Sequence, residues 1–316
     1  MDVGIIIGEA TPLSWERWRH ICRLVERLEF DSLYRSDHYF NGKQKDAIDV
    51  YLSFVMAAAE TERLRFGPLV TPITFREPVN VGRMAQQLES LAPGRFVLGL
   101  GAGWYPDEHA VYGIDFPAGT ERYDRLEEAL ALMKELWYSA SGRFDGSYYR
   151  ISGTDSKPHP PPGRPPILIG GSGPRRTLRI VAQHAHEWNT TPLDVAAYRA
   201  ANEALAGHCE DVGRDPAAIR KSMLIFAAIG PDDHHERLVL QRFLDMMAPE
   251  GSGISLDDAI AAGHGPWQGS VEQLVDHCGQ LRDLGLDEVV FEHFCHEDDT
   301  VPEWMAAEIM PRLAAL

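Results

Sequence analysis

Short apolar runs alternate with longer amphipathic segments along this chain, and that rhythm is the strongest constraint on its fold. Strands of about five residues followed by helices of three turns or more build βα units, and such units assemble around a parallel sheet. The runs Val3–Ile7, Ser32–Tyr34, Leu64–Val70, Phe96–Leu100, Ile167–Ile169, Glu187–Asn189, Met223–Ile229 and Glu288–Phe291 read as eight strands. Helices are predicted over Ser14–Glu29, with Ser14 as N-cap, and over Val50–Glu60. Pro78 suits the first position of a helix running to Leu91, and further helices are expected at Arg122–Trp137, Arg175–His184, Val271–Leu284 and Pro302–Leu313. Eight strand–helix pairs favour a closed (β/α)8 TIM barrel of α/β class over an open doubly wound sheet. The length of 316 residues fits a single barrel domain spanning 1–316.

Two segments break the rhythm. GRFDGSYYRI (142–151) alternates aromatics around Asp145-Gly146, which predicts a small β insertion with a type I′ turn. Residues 249–267 are glycine-rich and irregular, and read as a loop insertion over one barrel mouth. The Pro-rich stretch Pro158–Pro166 reads as a rigid extended connector.

Charge and composition remove several classes. A net charge of −17 argues against nucleic acid or an anionic membrane as partner. Without an apolar run long enough to span a bilayer, and with an acid at the second residue rather than a basic leader, the expectation is a cytoplasmic protein. Cys22, Cys209, Cys278 and Cys295 are scattered, as reduced thiols would be. His293, Cys295 and His296 lie close together but lack a second ligand cluster, so no metal is expected. A metal-dependent hydrolase is also disfavoured, because Ile7-Gly8-Glu9 carries no paired histidines.

Barrel active sites lie at the C-terminal ends of the strands. Unusual residues fall there after four successive strands: Ser36-Asp37-His38, Val70-Thr71-Pro72, Gly101-Ala102-Gly103-Trp104 and Gly170-Gly171-Ser172-Gly173-Pro174. The last runs into a helix carrying Arg175, Arg176 and Arg179, where backbone N–H groups and guanidinium charge can hold an anion even in an acidic protein. A plain strand-to-helix turn is the alternative. Glycines at 99, 101 and 103 allow a flat ring close to the backbone, or serve packing alone. His38 is a candidate proton donor or acceptor, or else a surface histidine. Trp104 and Trp188 wall a pocket or pack the rim.

Several passages together resemble the luciferase-like monooxygenase superfamily, especially its deazaflavin (F420)-dependent oxidoreductases. They are SDHYF (36–40), ETERLRFGPLVTPITFREP (60–78), GRFVLGLGAGWYPDEHAVYGIDFP (94–117), RYDRLEEALALMKELW (122–137) and PPILIGGSGPRRTLRIVAQHAHEWN (165–189). The match covers most of the first 190 residues. The resemblance implies a hydride passed between C5 of F420 and an organic small molecule. It places Asp37 and His38 near the ring, with His38, Asp37 and Trp104 as the catalytic residues. It sets Leu69, Val70 and Thr71 in a bulged strand behind the ring, with a cis peptide expected near Pro68–Leu69. Gly101, Gly103 and Asp107 match cofactor-contacting positions, and Gly170, Gly171, Ser172, Gly173, Arg175 and Arg176 match the phosphate loop. Trp104 stands where sugar-phosphate dehydrogenases of this kind carry a catalytic Glu, which makes sugar-phosphate oxidation by that route improbable. The resemblance also admits FMN as cofactor, in a monooxygenase served by a separate reductase, or a flavin- or F420-binding protein without turnover. A homodimer is expected by analogy.

Overall fold

The alternating pattern folds into one parallel sheet rolled into a cylinder. The computed structural model describes residues 1–8, 12–40, 47–139, 142–153, 164–191, 194–247 and 266–316. Its strands are β1 (Asp2–Ile7), β2 (Ser32–Arg35), β3 (Arg65–Pro68), β4 (Thr71–Pro72), β5 (Leu98–Gly101), β6 (Arg143–Asp145), β7 (Arg150–Ser152), β8 (Ile167–Gly170), β9 (Glu187–Thr190), β10 (Arg220–Ile225) and β11 (Glu288–Glu292). The main sheet runs β3-β2-β1-β11-β10-β9-β8-β5-β4, with parallel neighbours throughout. β3 and β4 are halves of one strand, interrupted by a cis peptide between Leu69 and Val70, one bond later than expected. A parallel bridge between Phe66 and Phe96 joins the two ends of that order, with Phe66 N–H donating to the Arg95 carbonyl and Val97 N–H to the Phe66 carbonyl, both at 2.9 Å. Counted as strands of a barrel there are eight, and the TIM-barrel expectation holds.

Local chemistry sets the helix ends. Ser14 caps the helix Trp15–Arg27 by accepting from Arg17 N–H, Asp49 caps Val50–Glu60 in the same way, and Ser270 and Gln273 form a reciprocal capping box on Val271–Arg282. Other elements depart from expectation. The helices Pro106–Tyr112, Val195–Asp211 and Asp233–Met247 were not singled out by pattern. β10 begins three residues before the Met223 start expected from its apolar run, because Arg220 is satisfied by Asp2 and Glu288 while the Lys221 N–H donates to Asp287. The insertion is an antiparallel hairpin, but Asp145 pairs with Arg150, so its loop is four residues rather than a two-residue turn at Asp145-Gly146. Glu128 holds that wider loop by accepting from the N–H groups of Ser147, Tyr148 and Tyr149. The last helix is broken into Thr300–Glu308 and Met310–Ala314, where Pro311 withdraws a donor. Most of the 249–267 loop and of the Pro158–Pro166 connector lies outside the described residues, although Trp267 bridges Ala227.

Inside the cylinder the side chains form layers. At the N-terminal end Arg65 pairs with Glu187, Arg220 with Asp2 and Glu288, and Ser32 with Glu288, closing the barrel with mutually satisfied charge. Above it lies an apolar layer of Ile6, Tyr34, Val97, Leu168 and Val290. At the C-terminal end the interior is not filled.

Closure across β3 and β5 depends on two glycines. A Cβ on Gly67 would sit 1.9 Å from the Val97 carbonyl oxygen, and one on Gly99 the same distance from that of Pro68. Backbone cannot yield as a flexible side chain does, so Gly67→Ala is expected to cost about 3 kcal/mol or more. An unchanged urea-unfolding midpoint would contradict this. Stability is also expected to fall in mild acid. Burial, with Lys134, Arg179 and Arg214 nearby, lowers His184 from 6.5 to about 4. Burial first, then His296, Arg17 and Arg242, lowers His293 to about 3. Both rings stay neutral in the fold where the unfolded chain would protonate them, so stabilisation present above pH 6.5 is lost progressively toward pH 4. Thermal midpoints at pH 7.5, 5.5 and 4.5 check this, and His293→Asn should flatten the slope.

Candidate active site

The open C-terminal end of the barrel holds a cavity of about 480 Å³, and all eight barrel strands or the loops after them contribute to its wall. Gly8 follows β1, Ser36 and His38 follow β2, and Leu69 and Val70 form the break between β3 and β4. Gly101–Trp104, Gly170–Gly171, Asn189 with Thr191, Leu224 with Phe226, and Glu292 complete the circuit. The wall is mostly apolar, and no Lys or Arg lines it among the described residues.

The strand break explains the glycine density. Val70 projects its isopropyl group against Gly99, Gly101 and Gly170, where a Cβ would meet its methyl carbons at 3.1, 2.8 and 3.0 Å. Gly99 and Gly101 therefore make room for β3 and Val70 first, rather than for a ligand directly. Gly103 has a different reason, a positive φ of 82° that turns the chain out of β5.

Of the expected residues, Asp37 and Thr71 stand behind the wall, and Asp107, Ser172, Gly173, Arg175 and Arg176 are not part of the lining either. Asp37 is buried and is not part of the cavity lining. Its carboxylate accepts from Arg76 at 2.6 and 3.1 Å and from the Thr71 hydroxyl at 2.7 Å. Thr71 is itself buried against the Tyr51 hydroxyl, 3.0 Å away. This cluster fixes the loop after β2 to β4, so Asp37 and Thr71 are buttresses and not ring contacts. Asp107 is exposed on the first turn of the helix Pro106–Tyr112 and points away from the cavity, unlike the ligand contact expected.

The residue after it was missed. Glu108 is fully buried, and its Oε2 lies 2.7 Å from Nδ1 of His38, while Oε1 accepts from the N–H groups of Tyr39 at 2.6 Å and Phe40 at 3.2 Å. In the sequence, Pro-Asp-Glu at a helix start looks like acid complementing the helix dipole. Only the 100° step between neighbours distinguishes the inward Glu108 from the outward Asp107. His38 lines the cavity and meets Trp104 and Tyr105 edge-on, with ring centroids 5.7 and 6.3 Å away. Trp104 is 61% exposed at the rim and stacks on Tyr105.

The glycine loop after β8 borders the opposite side. Gly171 takes a φ of 114°, its N–H donates to the Asn189 carbonyl, and its own carbonyl accepts from Trp188 Nε1 at 2.7 Å. Trp188 is fully buried and stacked on Tyr198, so it supports the loop from below instead of walling the pocket. The Gly171 N–H is thus already used. Ser172 and Gly173 lead to the N-terminus of the helix Thr177–His184, which starts two residues later than expected, and Thr177 lines the cavity. Arg176 is bound by Asp124 and Glu127, and Arg179 by Glu127, so neither is poised for a ligand as expected of Arg176. Arg175 is exposed and has no ion pair among the described residues.

These features fit a flat ring with an anionic tail. The volume lies within the range of small-ligand sites, the wall is apolar, and the helix N-terminus at Thr177 offers positive potential at one end. The four cysteines are buried and unpaired. His293, Cys295 and His296 are buried, and no group of three or more His, Cys, Asp or Glu among the described residues is gathered to hold an ion.

The chain is 29% identical over 317 residues to an F420-dependent glucose-6-phosphate dehydrogenase of Microbacterium testaceum, covering 92% of this chain and 91% of that protein. It is 28% identical over 324 residues to an F420-dependent hydroxymycolic acid dehydrogenase of Mycobacterium tuberculosis, covering 97% and 88%. The solved structure of an F420-dependent secondary alcohol dehydrogenase in complex with an F420-acetone adduct superposes with a TM-score of 0.83 over 99% of this chain and 98% of that one. At 17% identity that likeness is one of fold. Residues 5–289 match the sequence profile of the luciferase-like monooxygenases, and the chain belongs to that family.

Proposed function

We propose that this protein is an F420-dependent oxidoreductase acting on an organic small molecule. The observation that carries the reading is the pairing, around one apolar cavity, of an oriented histidine on one wall with a glycine-loop helix N-terminus on the other. The F420-dependent dehydrogenases among its relatives support it. F420 supplies hydride transfer at its C5 when bound.

The residues of the chain do the rest. Leu69 and Val70 form a wall whose position is fixed by backbone, because Val70 is wedged among three glycines. A rigid wall orients a ring and exposes one face to substrate. Ser172, Gly173 and Arg175 are suited to the anionic tail. His38 lies where it can exchange a hydrogen bond or proton with a bound group, and Trp104 shields that edge from water. Trp104 has no carboxyl to offer, so a sugar phosphate is not the substrate we propose.

Titration of the purified protein with F420 and with FMN, followed by fluorescence, should show micromolar F420 binding. FMN binding in that range with none for F420 would replace this reading with the monooxygenase one. His38→Ala is expected to lower turnover about 100-fold or more while F420 affinity stays within a few-fold of wild type. Equal turnover would remove His38 from the reaction. Arg175→Ala should weaken F420 binding about tenfold with turnover at saturation preserved, and an unchanged Kd would place the tail elsewhere.

A further inference from the structure

Both oxygens of Glu108 are used, and they do different work. Oε1 holds the main chain of Tyr39 and Phe40, and Oε2 faces His38 Nδ1 at 2.7 Å. A carboxylate accepts and does not donate, so the proton in that contact belongs to Nδ1. With Nδ1 protonated in a neutral imidazole, Nε2 carries the lone pair. Trp104 and Tyr105 meet the ring at 77° and 70° and confine its plane, while Glu108 sets its rotation within that plane.

We propose that Glu108 is a positioning residue that holds His38 with its proton on Nδ1. The role of His38 in turnover rests on the function proposed above; its tautomer does not. If Nε2 takes a proton, the Glu108 carboxylate faces the resulting cation, burying charge beside its opposite. A purely structural Glu108 would need only Oε1.

Glu108→Gln separates the two. Its side-chain carbonyl can still accept from Tyr39 and Phe40, but its NH2 group would donate toward Nδ1 and drive the proton to Nε2. Nitrogen-15 NMR of histidine-labelled, cofactor-free protein at pH 8 reads the tautomer directly, with the His38 signals assigned through His38→Gln. The expected result is Nδ1–H in the wild type and Nε2–H in Glu108→Gln. F420-linked turnover should fall on the order of 100-fold in the variant, with F420 affinity within about twofold and a near wild-type thermal midpoint. A wild-type His38 already protonated on Nε2 overturns the proposal whether or not the variant folds. So does a Glu108→Gln protein that keeps wild-type turnover. Wild-type protein that neither binds nor uses F420 sinks the cofactor reading instead, and the NMR result still decides the tautomer.

Discussion

The barrel closes through main chain meeting main chain. Where β3 passes the strand leading into β5, Gly67 and Gly99 each leave room for a carbonyl oxygen of the other, and a side chain at either would push the two apart. That approach fixes where Leu69 and Val70 emerge, and Val70 is then seated among Gly99, Gly101 and Gly170. The site wall is a product of sheet closure before it is a product of any ligand. Interiors packed at crystal-like density transmit such constraints without slack.

Charge is organised to the same end. The chain is strongly acidic, yet its buried acids are almost all spoken for: Glu187 and Glu288 by Arg65 and Arg220 at the barrel floor, and Asp37 by Arg76 beside the mouth. Removing one partner from such pairs costs more than the pair contributes, since a buried charge is left alone. Arg176 and Arg179 are neutralised by Asp124 and Glu127. Backbone dipoles at the start of the helix Thr177–His184 bring positive potential to the glycine loop.

Much of this was legible in the sequence. Strand and helix periods place the barrel, and the four loops at strand ends mark its mouth. Failures occurred where a residue's direction, not its identity, decided its role. Asp37, Thr71 and Asp107 sit in the expected loops but turn away from the cavity, and Glu108 turns in where Asp107 does not. Glycines at 99 and 101 look alike whether they admit a ligand or a neighbouring valine. The start of β10 is hidden from an apolar pattern because the charged residues there find partners only in three dimensions. A linear pattern records period and chemistry; it does not record which lone pair is already taken.

The wedge at Val70 has one more consequence. Change at Gly99, Gly101 or Gly170 strikes the packing of the cylinder itself, whereas Leu224, Phe226 and Met246 border the same mouth without being wedged against Val70. One half of the mouth is thus architecture and the other half upholstery. New substrate preferences can be tried on the second without disturbing the first, which gives this scaffold freedom to diversify around a fixed seat.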